Sequence, residues 1–99
     1  MKILALEKET PGHADDEYRP HLHNEAARVW ELYQAGVVRE MYFHQEQHTA
    51  VLVLECADAA EARRLLDSLP LVKAGLITFD LLPLVPYDGF ARLFEPSNP

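Results

Sequence analysis

The chain has 99 residues, of which 48% are hydrophobic and 25% charged, with a formal net charge of −7. That length suits one domain near the small end of the usual range, and the composition excludes an intrinsically disordered chain. The acidic balance argues against nucleic acid or an anionic membrane as partner, since both call for a basic surface.

No Lys/Arg cluster exceeds the Arg63-Arg64 pair. The apolar run in the opening MKILALEKE is too short for a signal peptide or a spanning helix, so the expected location is cytoplasmic. The single cysteine, Cys56, has no internal disulfide partner and closes an apolar strand, which reads as a buried, inert thiol.

In chain order, Lys2 to Lys8 predicts a strand, ended by Thr10-Pro11-Gly12. His13 to Arg19 is polar and acidic, a loop or a loose first turn. Pro20 suits the first turn of a helix, where its missing N–H costs nothing. Leu22, Ala26, Val29, Trp30 and Tyr33 then recur at helical spacing and predict a core-facing stripe. Gly36 is placed to take a left-handed cap after Ala35.

Val37 to His44 and Thr49 to Cys56 read as a hairpin around Gln45-Glu46-Gln47. Asp58 caps a second helix, Ala59 through Ser68. Leu69-Pro70-Leu71 with Ala74-Gly75 makes a turn, and Leu76 to Leu84 a fourth strand, whose end Pro83 and Pro86 limit to an edge or an exit. Residues 85–99 form a C-terminal extension carrying Tyr87, Phe90 and Phe94. The expected fold is α+β, a single ferredoxin-like β-α-β-β-α-β domain with both helices on one face of an antiparallel sheet.

A sheet covered on one face alternates apolar and polar residues along its strands. Val51-Leu52-Val53-Leu54 and Leu81-Leu82 are apolar on both sides instead. An uncovered apolar face of about 600–800 Å² amounts to on the order of 15 kcal/mol at ~25 cal/mol per Å², as an upper bound. A second copy of the same face is the simplest cover. A homodimer or higher homo-oligomer, two sheets closing into a dimeric α+β barrel, is therefore expected, with the tail aromatics reaching across. A tail folded back over its own sheet is the alternative.

Taking Ala26 as the stripe centre, about 100° per residue puts His23 ~60° off centre and His21 ~140° off. His23 thus borders the core, as a general acid or base or as a boundary histidine bonded to backbone. Asp80 interrupts an apolar strand and needs a partner. Arg39 fits that role in a structural pair, and a site carboxylate is the other reading. Arg39, Met41 and Phe43 share one face of the second strand, and Glu40, Tyr42 and His44 the other. The candidate site is His23 and Asp80 as catalytic groups, with Tyr33, Arg39, Tyr42 and His44 binding substrate. His44 and His48 flank the hairpin turn, but no Cys/His spacing matches a zinc site, so no metal is expected. Phosphate-loop, dinucleotide and nucleophile-elbow motifs are absent, and no cofactor is expected.

Arg19-Pro20-His21-Leu22, Ala35-Gly36 and Pro70-Leu71-Val72-Lys73-Ala74-Gly75-Leu76 resemble the YCII-related family. Leu69-Pro70-Leu71 is also similar to the corresponding segment of muconolactone isomerase. Both belong to the dimeric α+β-barrel group, and the resemblance spans nearly the whole chain. It implies a small cofactor-free isomerase- or lyase-like protein that binds a small organic acid or lactone between helices and sheet. YCII-related proteins place an Asp before the Pro of the last-turn motif and pair it with a first-helix His. Here Leu69 stands at that position, with His21 and His23 both candidates for the other half. The alternatives are a non-catalytic dimeric ligand-binding or accessory protein, and a cofactor-independent monooxygenase of the same fold.

Overall fold

The computed structural model describes residues 1–96; the last three residues of the expected 85–99 extension lie outside them. The elements are β1 (Lys2–Glu9), α1 (Asp15–Gln34), β2 (Val38–Phe43), β3 (Ala50–Glu55), α2 (Ala59–Leu66), α3 (Pro70–Lys73) and β4 (Ile77–Pro83), followed by a 3-10 segment, Gly89–Phe94. The four strands form one sheet in the order β2-β3-β1-β4. Every pairing is antiparallel, so the fold is the ferredoxin-like α+β arrangement expected. β4, with its terminal Pro83, is an edge strand. Among the described residues no helix is long and apolar enough to cross a membrane.

The register explains why two faces of the sheet differ. Ile3 and Ala5 of β1, Leu52 and Leu54 of β3, and Ile77 and Phe79 of β4 point to the helices and are buried. Leu66, Leu69 and Leu71, from α2 and the turn into α3, close over them. The opposite face carries Leu4, Leu6, Val51, Val53 and Leu82, with Lys8 and Asp80 beside them. Cys56 is buried in the core, and burial pushes its thiol pKa up. Asp58 caps α2 as expected, its Oδ1 accepting from Glu61 N at 2.8 Å. Gly36 (φ +80°) takes the left-handed turn that closes α1.

Three expectations change. First, α1 begins at Asp15, so Pro20 lies inside it. Asp15, Asp16 and Glu17 favour the positive end of the helix dipole, which carries the helix back past Pro20. The hydrogen bond lost at Pro20 would have gone to Asp16, in the exposed first turn, where water replaces it. Second, Pro70–Lys73 is a one-turn helix with Pro at its start rather than a simple turn. Third, β2 shifts register against β3 between Val38 and Glu40. The bulge removes Arg39 from the face it was expected to share with Met41 and Phe43.

The stripe on α1 meets a different fate from the one its spacing predicts. Leu32 is the buried residue of that helix. Leu22, Ala26, Trp30 and Tyr33 stay exposed, and Val29 is half-buried. Polar side chains anchor the helix instead. Glu25 Oε1 accepts from the α3 backbone at Leu71 N (2.9 Å), and Arg28 donates from Nε to Ser68 Oγ (2.9 Å). Held at α3, α1 stands away from the middle of the sheet.

A cleft between the long helix and the sheet

The space under α1 is a cleft of about 690 Å³. That is the size of small-molecule sites in general. Its floor is the helix-facing side of the sheet, with Leu52, Ile77 and Phe79. Leu22, Val29 and Trp30 of α1 form its roof, and Met41, Phe43 and His48 its β2 side. Leu69 is part of the buried wall.

Polar groups are few, and they are acidic. Glu7, Glu9 and Glu25 line the cleft, with no lysine or arginine among the lining residues. Glu7 is on β1, two residues past Ala5 on the same face, and accepts from Ala50 N at 3.3 Å. Desolvation raises its pKa above the ordinary carboxylate value, and the charges of Glu9 and Glu25 add to the effect. The Ala50 hydrogen bond and the nearby His48 pull the other way. Burial likewise raises Glu25, opposed by the Leu71 hydrogen bond and His21. Tyr18 donates to Leu76 O at 3.2 Å, and burial together with the surrounding acids raises its pKa.

His48 takes a left-handed backbone (φ 55°), which the tight β2–β3 turn imposes through His48 N donating to His44 O at 2.9 Å. This stacks its ring on Phe43, with centroids 4.0 Å apart, at the cleft side of the hairpin.

The candidates read from the sequence fall mostly elsewhere. His23 is exposed on α1 and is not among the lining residues; the half-buried histidine of the pair is His21. The helix is rotated from the wheel centred on Ala26 because Glu25 and Arg28, not the apolar stripe, set its inward side. Asp80 lies on the opposite face of the sheet, where it pairs with Lys8 at 2.6 Å. The Asp80–Arg39 pair does not form, because Arg39 donates from Nε to Gly36 O at 2.6 Å. Tyr33 stacks on Trp30 at 5.7 Å outside the lining. His44 stabilises its own turn, Nδ1 accepting from the backbone of Glu46 (3.2 Å) and Gln47 (3.1 Å). Tyr42 borders the cleft, with its hydroxyl donating to Glu40 Oε1 at 2.7 Å.

Sequence reasoning missed Glu7, Glu25, Tyr18 and His48. For Glu7 a signal was present: a carboxylate in phase with Ile3 and Ala5 on the inward side of a strand. Among the described residues no group of three or more His, Cys, Asp or Glu is gathered to hold a metal ion.

No protein-family model matches the chain, and no curated protein matches it. A solved structure does resemble it, that of 5-chloro-2-hydroxyhydroquinone dehydrochlorinase from Burkholderia phenoliruptrix AC1100 in complex with 2,5-dihydroxybenzoquinone. The two align over 90% of this chain and 98% of that one, with a TM-score of 0.64 and 17% identity. The likeness shows the α+β fold and goes no further; it does not extend to YCII-related proteins or muconolactone isomerase in particular.

Proposed function

We propose that the protein is a small isomerase- or lyase-like enzyme, working without a cofactor, that moves a proton on a small organic molecule held between α1 and the sheet. One observation carries this reading: a carboxyl group, Glu7, sits on the floor of an apolar, ligand-sized cleft, where burial raises its pKa above the ordinary carboxylate value. Isomerisation and elimination both require a group that takes a proton from carbon and returns it to the substrate or to water. A raised carboxyl does this near neutral pH better than an ordinary one, because it is the stronger base. Glu7 is the base in this reading. Glu25 and His48 line the same space, and the aromatic walls hold a flat ring. The structural neighbour, a dehydrochlorinase with a bound dihydroxybenzoquinone, lends support through the class of chemistry that it performs.

The acidic lining shifts the ligand away from the organic acid first expected. Arg39, which was to hold a carboxylate, is bonded to Gly36 O, and three glutamates would repel one. A hydroxylated ring fits better, since hydroxyl groups donate to carboxylates, and a lactone fits in being uncharged.

The test is solvent-deuterium incorporation into a panel of small lactones and hydroxylated quinones, followed by NMR, beside a thermal-shift screen of the same panel. Glu7→Gln is expected to slow exchange about 100- to 10,000-fold while leaving the thermal shift in place. No binding anywhere in the panel, or unchanged exchange in Glu7→Gln, overturns the proposal.

The protein is, in the same reading, a homodimer that buries the Leu4, Leu6, Val51, Val53 face against its copy. Light scattering at micromolar concentration is expected to return twice the chain mass; the chain mass alone overturns the dimer.

A further inference from the structure

Besides the helix-free face of the sheet, two apolar surfaces on this molecule are exposed, and neither meets the other within one chain. The first is the cleft rim, where Leu22, Trp30, Met41 and Phe43 stand open, Phe43 at 60%. The second is the arm after β4. The molecule measures 65 × 28 × 22 Å, with a radius of gyration of 17.3 Å, against about 13 Å for a compact chain of this length. Residues 84–96 are exposed at every position but Gly89, as a segment that leaves the body of the molecule is. In the arm Tyr87, Leu93 and Phe94 are exposed, Phe94 at 84%.

The arm is shaped before it touches anything. Tyr87 packs edge-on against Phe90, centroids 5.1 Å apart and planes at 81°. Its ring also lies over buried Gly89, where a Cβ would collide with it. Ala91 N then donates to Asp88 O at 3.2 Å as the 3-10 segment starts. β4, from which the arm leaves, and β2, which carries the Met41 and Phe43 side of the cleft, are opposite edges of the sheet. One charge bears on the match. The cleft is lined by Glu7, Glu9 and Glu25 without a cation, and the arm carries Arg92 at its apolar end, between Asp88 and Glu95.

We infer that the arm of one copy docks over the cleft of a second copy, in a reciprocal twofold exchange. Phe90, Leu93 and Phe94 lie on the rim at Leu22, Trp30 and Phe43, and Arg92 faces the acidic mouth at Glu9. The inference rests on the dimer and cleft of the proposed function. It adds that each site is incomplete in a single chain: the second copy supplies the cover that excludes water, with Arg92 as the cation nearest Glu9.

Cross-linking tests it without any substrate. Two chains are co-expressed in a Cys56→Ser background, one with Phe94→Cys and the other with Trp30→Cys. After oxidation they are expected to yield a mixed disulfide-linked pair. No mixed pair in a sample that scatters as a dimer overturns the arm while leaving the dimer standing. A sample that scatters as a monomer overturns both. Arg92→Glu is expected to raise the dimer dissociation constant at least about tenfold at low salt, and Glu9→Lys in the same chain to restore it. An unchanged constant removes Arg92 from the contact.

Discussion

The two β-α-β halves of this fold use their helices in opposite ways. In the second half, α2 spans Ala59–Leu66, is capped by Asp58, and buries Ala62 and Leu66 in the core. In the first half, α1 spans Asp15–Gln34, starts at Ala14 without a side-chain cap, and buries Leu32. The short helix packs, whereas the long one spans a gap. The difference follows from anchoring. α2 is set by the apolar contacts of Ala62 and Leu66 and by Arg63, which donates from Nη1 to Phe79 O of β4 at 2.8 Å, and both draw it onto the sheet. α1 is set by Glu25 on Leu71 N and Arg28 on Ser68, and hydrogen bonds hold it at α3, away from the sheet's middle. Apolar side chains that would have filled a core become the roof of a cleft.

Core truncation breaks the comparison most sharply. Leu66→Ala, in a side chain 1% exposed, is expected to cost about 2–5 kcal/mol in urea unfolding. Leu22→Ala, on the exposed stripe of α1, is expected to stay within about 0.5 kcal/mol. Equal losses would mean that the stripe packs after all.

The caps sharpen the contrast at a smaller scale. Asp58→Ala is expected to lose about 1 kcal/mol, as the bond to Glu61 N disappears. Ala14→Ser, at an extended position (φ −96°, ψ 161°) with no side-chain acceptor, is expected to gain about 0.5–1 kcal/mol. Thermal unfolding of each variant reads both.

The smallest effect is a dependence on pH. Glu7 and Glu25 have pKa values raised in the folded state, so the fold binds more protons than the unfolded chain above the ordinary carboxylate value of 4.5. Their contribution to stability is therefore present below that value and declines as pH rises through the raised ones. Glu7→Gln is expected to be more stable than the parent at pH 7, with the advantage shrinking toward pH 4. An advantage constant across that range would mean that Glu7 has an ordinary pKa.

Most of the fold was legible in local chemistry. The apolar run Ile3-Leu4-Ala5-Leu6, the Asp58 cap, the Gly36 turn and the two prolines near β4 act over a few residues, and each predicts its own element. The site was not legible in that way. Tyr42 was foreseen at the cleft, whereas His23, Tyr33, Arg39, His44 and Asp80 lie outside its lining. Asp80 found Lys8 on its own face of the sheet, and the β2 bulge turned Arg39 back toward Gly36.

The sequence by itself determined the strands and the order of elements, because apolar runs, turns and caps are properties of neighbouring residues. Only the tertiary structure decided that the α1 stripe would face empty space and that Glu7 would be its acid. The contact that tilts α1 joins Glu25 to a backbone N–H at Leu71, far along the chain. A helical stripe shows that one side of a helix is apolar; what that side meets depends on where distant anchors hold the helix.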